Sequence, residues 1–498
     1  MTTLHERLPS RSLYALLIAV SAGSALLGFV REASIGALHG ASRGTDAYYA
    51  ALTIPFTAAY FLVGGALAPA LTAALARHFA MGDRDAAGAL FARSLRSFVL
   101  AGGFSAVTLA FLAPHAARFI VPGFDAAGIV LTGRLLRILV LYGALTSLGQ
   151  LVTAGLIAAG AYRTAPLAVL AGNAVSLLVL LLPSGRASIE SAAWAMNAGS
   201  AVFLIGLLPR AFSLGLLAQR PLASARVPWR EAATLTLSLC AAGGVDLAER
   251  PFASTAGVGA IALLAFASKL IHLPMRLFAA PLASVVLPRF ARSRVRPPGP
   301  SDEAGETASW VLRFLLYAAV LTAGAAAPLA ALAFGRGHFD AAAVAALGRV
   351  LALLSPAIVF IGFIELASKL LVASDRVRAV AWAQGAGLLA YLVAAPALRA
   401  QGVTGLAIAR DIAWGVAALG LALPLLRPHT SLRPFRRFGT SVLAACVTLP
   451  VAVLAVHLPV SRSNLLACVA AGGLSAAAFS LILMGGPLMA RIRNGQRP

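Results

Sequence analysis

The chain has 498 residues, of which 60% are apolar and 11% charged, with a mean hydropathy of +0.88 and a formal net charge of +23 at pH 7. A water-soluble domain has about a quarter of its residues charged to cover its surface, so this composition excludes one and reads as an integral membrane protein. Aromatic residues, at 7%, are too few for the girdles of a transmembrane barrel. That leaves an all-α polytopic fold, in which each span needs about 20 mostly apolar residues to bond its own backbone inside the bilayer.

A short basic segment with Arg7 and Arg11 precedes the first apolar run, 13–30. The run is longer than the core of a cleaved signal peptide and no small-residue cleavage pattern follows it, so it is expected to be a retained membrane helix. Further apolar runs cover 47–75, 98–112, 135–159, 166–182, 192–208 and 232–247. The second half continues with 258–287, 311–334, 350–372, 380–397, 402–426, 442–458 and 465–489. The total is about 14 transmembrane helices.

Basic residues alternate between loops as they do when the amino terminus is cytoplasmic. Arg77, Arg84, Arg93 and Arg96 follow the second run, Arg210, Arg220, Arg226 and Arg230 the sixth, and Arg289, Arg292, Arg294 and Arg296 the eighth. Arg427, Arg433, Arg436 and Arg437 follow the twelfth, and Arg491, Arg493 and Arg497 close the chain, whereas loops between these hold mostly single arginines such as Arg118 and Arg336. Both termini are therefore placed in the cytoplasm. Topology and anionic headgroups account for the positive charge, and no nucleic-acid partner is expected, since that would need a solvated basic domain.

The polar stretch 289–309 reads as a flexible cytoplasmic connection, and 218–229 as a joint between halves. The expected arrangement is an N-lobe of six helices over 1–218, a C-lobe of six over 219–430, and two helices over 431–498. An internal repeat supports it. Pro55 and Pro69 map onto Pro274 and Pro288 with a shift of 219 (274 minus 55), and the same shift carries Arg31 onto Arg250. Two pseudo-symmetric lobes with a site between them are the plan of many transporters.

Reactive chemistry is scarce. Cys240, Cys446 and Cys468 lie in apolar runs without ligand-like spacing and read as small core residues. No zinc motif, no phosphate-binding loop and no nucleophile elbow is present, so no metal, cofactor or catalytic residue is expected and the chain reads as a transporter, not an enzyme. What remains are charges at membrane depth, each costing about 2.5 to 3.5 kcal/mol at a helix centre. These are Arg31 with Glu32, Asp46, Asp246 with Glu249 and Arg250, Lys269 with His272, Glu365 with Lys369, and Arg410 with Asp411. Glu365 and Lys369, four apart, can neutralise each other. Arg31, Lys269 and His272 carry positive charge without an obvious acid on the same face. Asp246 and Glu249 together exceed what Arg250 neutralises, a surplus that could hold Na+ or a proton or could brace neighbouring helices.

Gly28-Phe29-Val30-Arg31-Glu32, Thr45-Asp46-Ala47 and Pro55 resemble the opening of the MurJ/MviN lipid II flippases, within the multidrug/oligosaccharidyl-lipid/polysaccharide exporter superfamily. Ala267-Ser268-Lys269-Leu270-Ile271-His272-Leu273-Pro274 and Val286-Leu287-Pro288 are similar to a later pattern of that family. The resemblance implies two six-helix lobes around a cationic cavity, alternating access across the inner membrane, and a polyprenyl-pyrophosphate-linked sugar as cargo. Carried over by position, it puts Arg31, Asp46, Lys269 and His272 at the substrate and Glu249 at a cation site, whose matching polar partners in the eleventh helix are not found, Gln384 being the nearest candidate; Arg250 joins the substrate residues through the repeat. It also implies departures: lysine at 269 and histidine at 272 replace an arginine and a glutamate, and Ala25 and Ala59 replace two arginines.

The expectation is an inner-membrane flippase for a lipid II-like precursor, with Na+ or H+ coupling. Its partners would be the lipid-linked saccharide, membrane lipids and proteins of cell-wall or polysaccharide synthesis. A flippase for another exported polysaccharide precursor, a cation-coupled exporter of small molecules and a degenerate membrane scaffold are the alternatives.

Overall fold

The computed structural model describes residues 11–182, 188–217, 243–275, 303–373 and 376–426. Among these residues every regular element is a helix. The expected helices over 442–458 and 465–489, the segment 431–498 and the joint 218–229 lie outside the described residues. The chain divides into two compact units, Met1–Ala262 and Leu263–Pro498.

In the first unit α1 is Arg11–His39 and α2 is Arg43–Thr57, which runs through a π-helical segment, Ala58–Leu67, into α3, Ala68–Ala80. Then come α4 (Arg84–Ile120), α5 (Ala126–Ala158), α6 (Thr164–Leu181), α7 (Ile189–Ser213) and α8 (243–255). The helix starts are written locally. Ser42 accepts from the Thr45 amide at 3.3 Å, Asp83 from Ala86 at 2.9 Å and Asp125 from Gly128 at 3.2 Å, each satisfying an amide that the first turn leaves over. Helix α4, at 37 residues, is about 55 Å long. It outruns the 98–112 expected from hydropathy because its first turns, with Arg84, Arg93 and Arg96, are polar yet still helical.

The side chains that these helices turn outward are apolar. Phe104, Phe111 and Phe119 of α4 are 75–81% exposed, a surface that water would penalise and hydrocarbon would not. Among the described residues seven helices are long and apolar enough to cross a membrane, or nine if each of two bent pairs counts as one span. This is a multi-pass membrane protein.

Where helices meet, small residues let them close up. A Cβ on Gly172 of α6 would lie 2.6 Å from the Gly199 carbonyl oxygen of α7, and one on Gly199 would lie 2.6 Å from that of Gly172. Backbone contact of this kind is how membrane helices gain packing energy without a hydrophobic drive between them. Either Gly→Ala change should therefore lower the unfolding free energy by about 1 to 3 kcal/mol, measurable by thermal unfolding of the purified protein, whereas Ala at the open Gly103 should change little. At Gly143 of α5 a Cβ would sit 2.9 Å from the Pro55 ring, so α5 lies hard against the point where α2 lacks an amide. The π segment begins three residues later.

In the second unit α9 (Ala260–Pro274) begins at the boundary, and α10 (Glu303–Gly324), α11 (Ala326–Phe334), α12 (Ala341–Leu353) and α13 (Ala357–Ala373) follow. The polar stretch read as a loop to residue 309 thus ends in helix, and the rest of it lies outside the described residues. Two spans expected as single helices are broken: α10 and α11 meet at 82°, and α12 and α13 at 48° around Ser355-Pro356. Phe266, Phe334 and Phe339 fill the space within this unit, with ring centroids 4.5 and 5.7 Å apart. Finally α14 (Val377–Leu398) and α15 (Gly402–Leu426) pack against each other through a turn at Gly402, so the apolar stretch 377–424, one candidate span by hydropathy, is two helices.

Candidate functional site

In the first unit Ser24, Arg31, Glu32, Asn173 and Tyr49 form one connected set. Ser24, Gly28, Arg31 and Glu32 of α1 recur at helical spacing along the side that packs on α6. Arg31 Nη2 donates to Glu32 Oε1 at 2.9 Å and Nη1 to Asn173 Oδ1 of α6 at 3.4 Å. Asn173 Nδ2 in turn donates to Ser24 Oγ at 2.9 Å, which fixes the carboxamide with its oxygen toward the guanidinium. From α2 the Tyr49 hydroxyl donates to Glu32 Oε2 at 2.6 Å, and Tyr48 meets the Tyr49 ring edge-on at 5.1 Å.

The same tyrosine leads to the second arginine. The Tyr49 carbonyl accepts from Thr53 Oγ1 at 2.8 Å, and Thr53 Oγ1 accepts from Arg250 Nε of α8 at 2.9 Å. Arg250 Nη1 lies 3.4 Å from Glu249 Oε1. The two arginines related by the repeat are therefore joined through one turn of α2. Each has a neighbouring glutamate as its partner, which corrects the expectation that Arg31 lacks an acid: residues adjacent on a helix diverge, but these two side chains are long enough to turn back on each other. Glu32 and Glu249 are 2% and 0% exposed, so each pair replaces the water that its charges lost.

Asp46 is placed differently from the sequence expectation. Its Oδ2 accepts from the Gly259 amide at 2.7 Å and its Oδ1 from Ala262 at 2.8 Å, so the carboxylate sits on the leftover amides at the start of α9. It is fully buried. A residue grouped with the substrate contacts thus has a structural task, anchoring α9 to the start of α2. Gly259, at φ 85°, makes the approach possible, since a Cβ there would meet the Ala41 carbonyl oxygen at 2.6 Å. Asp246, the other acid offered for a cation, is half-buried on α8, and among the described residues no three His, Cys, Asp or Glu side chains gather as metal ligands would.

In the second unit Lys269 and His272 lie half-buried on α9. His272 Nδ1 is 2.7 Å from the Ser268 carbonyl oxygen, which can only accept, so Nδ1 carries the proton. Ser268 Oγ donates to the Leu264 carbonyl at 2.7 Å and accepts from Arg410 Nη1 of α15 at 3.0 Å. Gln384 is buried on α14, Glu365 is exposed, and the Lys369 side chain lies outside the described ones. Ala59 is fully buried in the π segment and Ala25 half-buried on α1, and neither can hold an anion.

Comparison with known proteins decides the family. A family model described as lipid II flippase MurJ matches residues 35–469. The chain belongs to the MurJ family. Among MurJ relatives, a lipid II flippase MurJ of Burkholderia cenocepacia is 27% identical over 349 residues, 66% of each chain. A probable lipid II flippase MurJ of Rhizobium meliloti is 25% identical over 353 residues, 66% of this chain and 64% of its own. The aligned stretch thus spans about two-thirds of these relatives. A MurJ structure in an inward closed conformation superposes with a TM-score of 0.75 at 17% identity, covering 95% of this chain and all of that one. An inward-facing multidrug MATE transporter gives 0.66 at 17% identity, covering 82% and 97%. These likenesses establish the fold, that of a helical transporter.

Asn173, Tyr49 and Thr53 were not singled out by the sequence. Asn173 left a signal, as the one carboxamide in an otherwise apolar span. Tyr49 and Thr53 did not, since tyrosine and threonine are ordinary in membrane helices.

Proposed function

We propose that this chain moves a lipid-linked saccharide, a lipid II-like polyprenyl-pyrophosphate precursor, across the bacterial inner membrane by alternating access. The observation that carries the reading is the family match, which extends through both units. Basic groups supply the chemistry: half-buried Arg31 and buried Arg250 in the first unit, half-buried Lys269 and His272 in the second, all on helices of apolar composition. A pyrophosphate leaving water needs charge-assisted hydrogen bonds to replace its hydration. Guanidinium groups already paired with Glu32 and Glu249 can exchange a carboxylate for a phosphate oxygen, so the paired state holds the site together between cargoes. Asp246 and Glu249 serve the coupling cation, Na+ or H+. Both termini are cytoplasmic in this reading, as the arginine-rich loops require, and proteins of cell-wall or polysaccharide synthesis deliver and receive the cargo.

The test is rescue of a bacterial strain depleted of its own lipid II flippase. Growth restored by this chain is the expected result. Failure to rescue combined with efflux of cationic dyes would replace the reading with small-molecule export.

A further inference from the structure

Helix α4 carries its own measure of the membrane. Between Arg96 and Arg118 it has no Asp, Glu, Lys or Arg, and the step of 22 residues from one to the other (118 minus 96) is about 33 Å at the helical rise, against about 30 Å of bilayer hydrocarbon. Both arginines are exposed, and so are Val99, Phe104, Val107 and Phe111 between them. Arg96 therefore lies where hydrocarbon gives way to headgroups, on the arginine-rich side of the first unit with Arg77, Arg84 and Arg93.

Beside Arg96 the surface is not flat. A groove of about 320 Å³ is lined by Ala92, Leu95, Arg96, Val99 and Leu100, which recur at helical spacing on one face of α4, and by Leu217. Leu217 belongs to the turn 214–217 that follows α7, where Gly215 takes a φ of 70° and Leu216 is buried in the core with Phe91. Core packing thus holds the second wall in place. Five of the six lining residues are apolar, and no acid is paired with the sixth, Arg96, among the described residues.

An apolar groove with one unpaired cation at headgroup level matches a molecule that is apolar over most of its length and anionic at one end. Anionic glycerophospholipids have that form: the phosphate takes paired bonds from a guanidinium, and an acyl chain covers Val99, Leu100 and Leu217. Their leaflet is also where interfacial arginines gather. A second copy of this chain docked on the same face about a two-fold axis would set Arg96 against Arg96, which favours the lipid.

We infer that this groove binds an anionic glycerophospholipid, with its phosphate on Arg96 and one acyl chain between α4 and Leu217. The site shares no residue with the set around Arg31, and the inference stands on membrane placement alone, whatever the cargo is.

The experiment uses the full chain in phosphatidylcholine nanodiscs containing a trace of phosphatidylglycerol that carries a diazirine on one acyl chain. After illumination, labelled residues are located by peptide mass spectrometry, with the lipid-facing stretch around Phe111 as the internal reference. Labelling is expected to concentrate on residues 92–100 and on Leu217, and to be displaced by unlabelled phosphatidylglycerol although phosphatidylcholine is already in large excess. Arg96→Gln is expected to lower it at least about fivefold relative to the reference, and Arg96→Lys, which keeps the charge, to retain most of it. Ala92→Phe, which narrows the groove and leaves the arginine in place, is expected to lower it as well. Groove labelling no stronger than the reference, or unchanged in Arg96→Gln, overturns the inference and leaves only bulk lipid at this face. If Arg96→Gln does not fold, unchanged labelling in Ala92→Phe overturns it equally. Cross-links between copies in place of lipid labelling would give the groove to a second copy of this chain, which also overturns it.

Discussion

Arg31→Ala is expected to abolish rescue of flippase-depleted cells. The side chain sits in α1 about 12 Å from the helix end, eight residues short of His39, and its two terminal nitrogens face Glu32 and Asn173. Removing it takes away the cation that would grip the cargo and leaves the buried Glu32 carboxylate, which also accepts from Tyr49, without that cation. Breaking a buried pair from one side costs about 3 to 5 kcal/mol, so loss of rescue could arise from misfolding. The double variant Arg31→Ala/Glu32→Ala separates the two causes, because it removes both charges together. It should restore the amount of protein in the membrane without restoring growth. Arg31→Lys, which keeps charge but grips one oxygen at a time, should rescue weakly. Growth at the wild-type rate with Arg31→Ala would show that this residue does not handle cargo.

That pair also shows how far the sequence could be read. Composition and span length were enough for the membrane-helical fold, because a bilayer imposes the same requirement on every crossing segment. The repeat in Arg31 and Arg250 was visible as a spacing, and the structure joins the two residues through Tyr49 and Thr53. Their glutamate partners stood next to them in the sequence, yet neighbours on a helix point about 100° apart, and only the coordinates show the side chains turning back. The breaks at Ala325 and at Ser355-Pro356 were hidden for a different reason. Hydropathy averages over a window, so a bent pair of short helices looks like one long helix. The π segment after Pro55 follows the point where α5 packs against that proline, a contact between residues 88 apart (143 minus 55).

Asp46→Ala is expected to have the second large effect, and on stability before transport. The family resemblance offered Asp46 as a cargo residue, and an acid at membrane depth is costly and is usually kept for function. The geometry gives another reason for keeping it: two amides at the start of α9 point at its two oxygens, at 2.7 and 2.8 Å. Alanine would leave both amides buried without acceptors, at about 1 to 3 kcal/mol each, and would remove a negative charge from the positive end of a helix. The total loss should be about 3 kcal/mol or more, read as a fall in the thermal midpoint of the purified protein. Asp46→Asn should fall between, since one carbonyl oxygen can still accept while its amino group faces a donor. The two roles give opposite patterns. An anchor loses stability in proportion to the acceptors removed, with cargo binding surviving in whatever protein remains folded. A cargo residue would leave the midpoint unchanged and lose binding outright, and that outcome would return Asp46 to the substrate site.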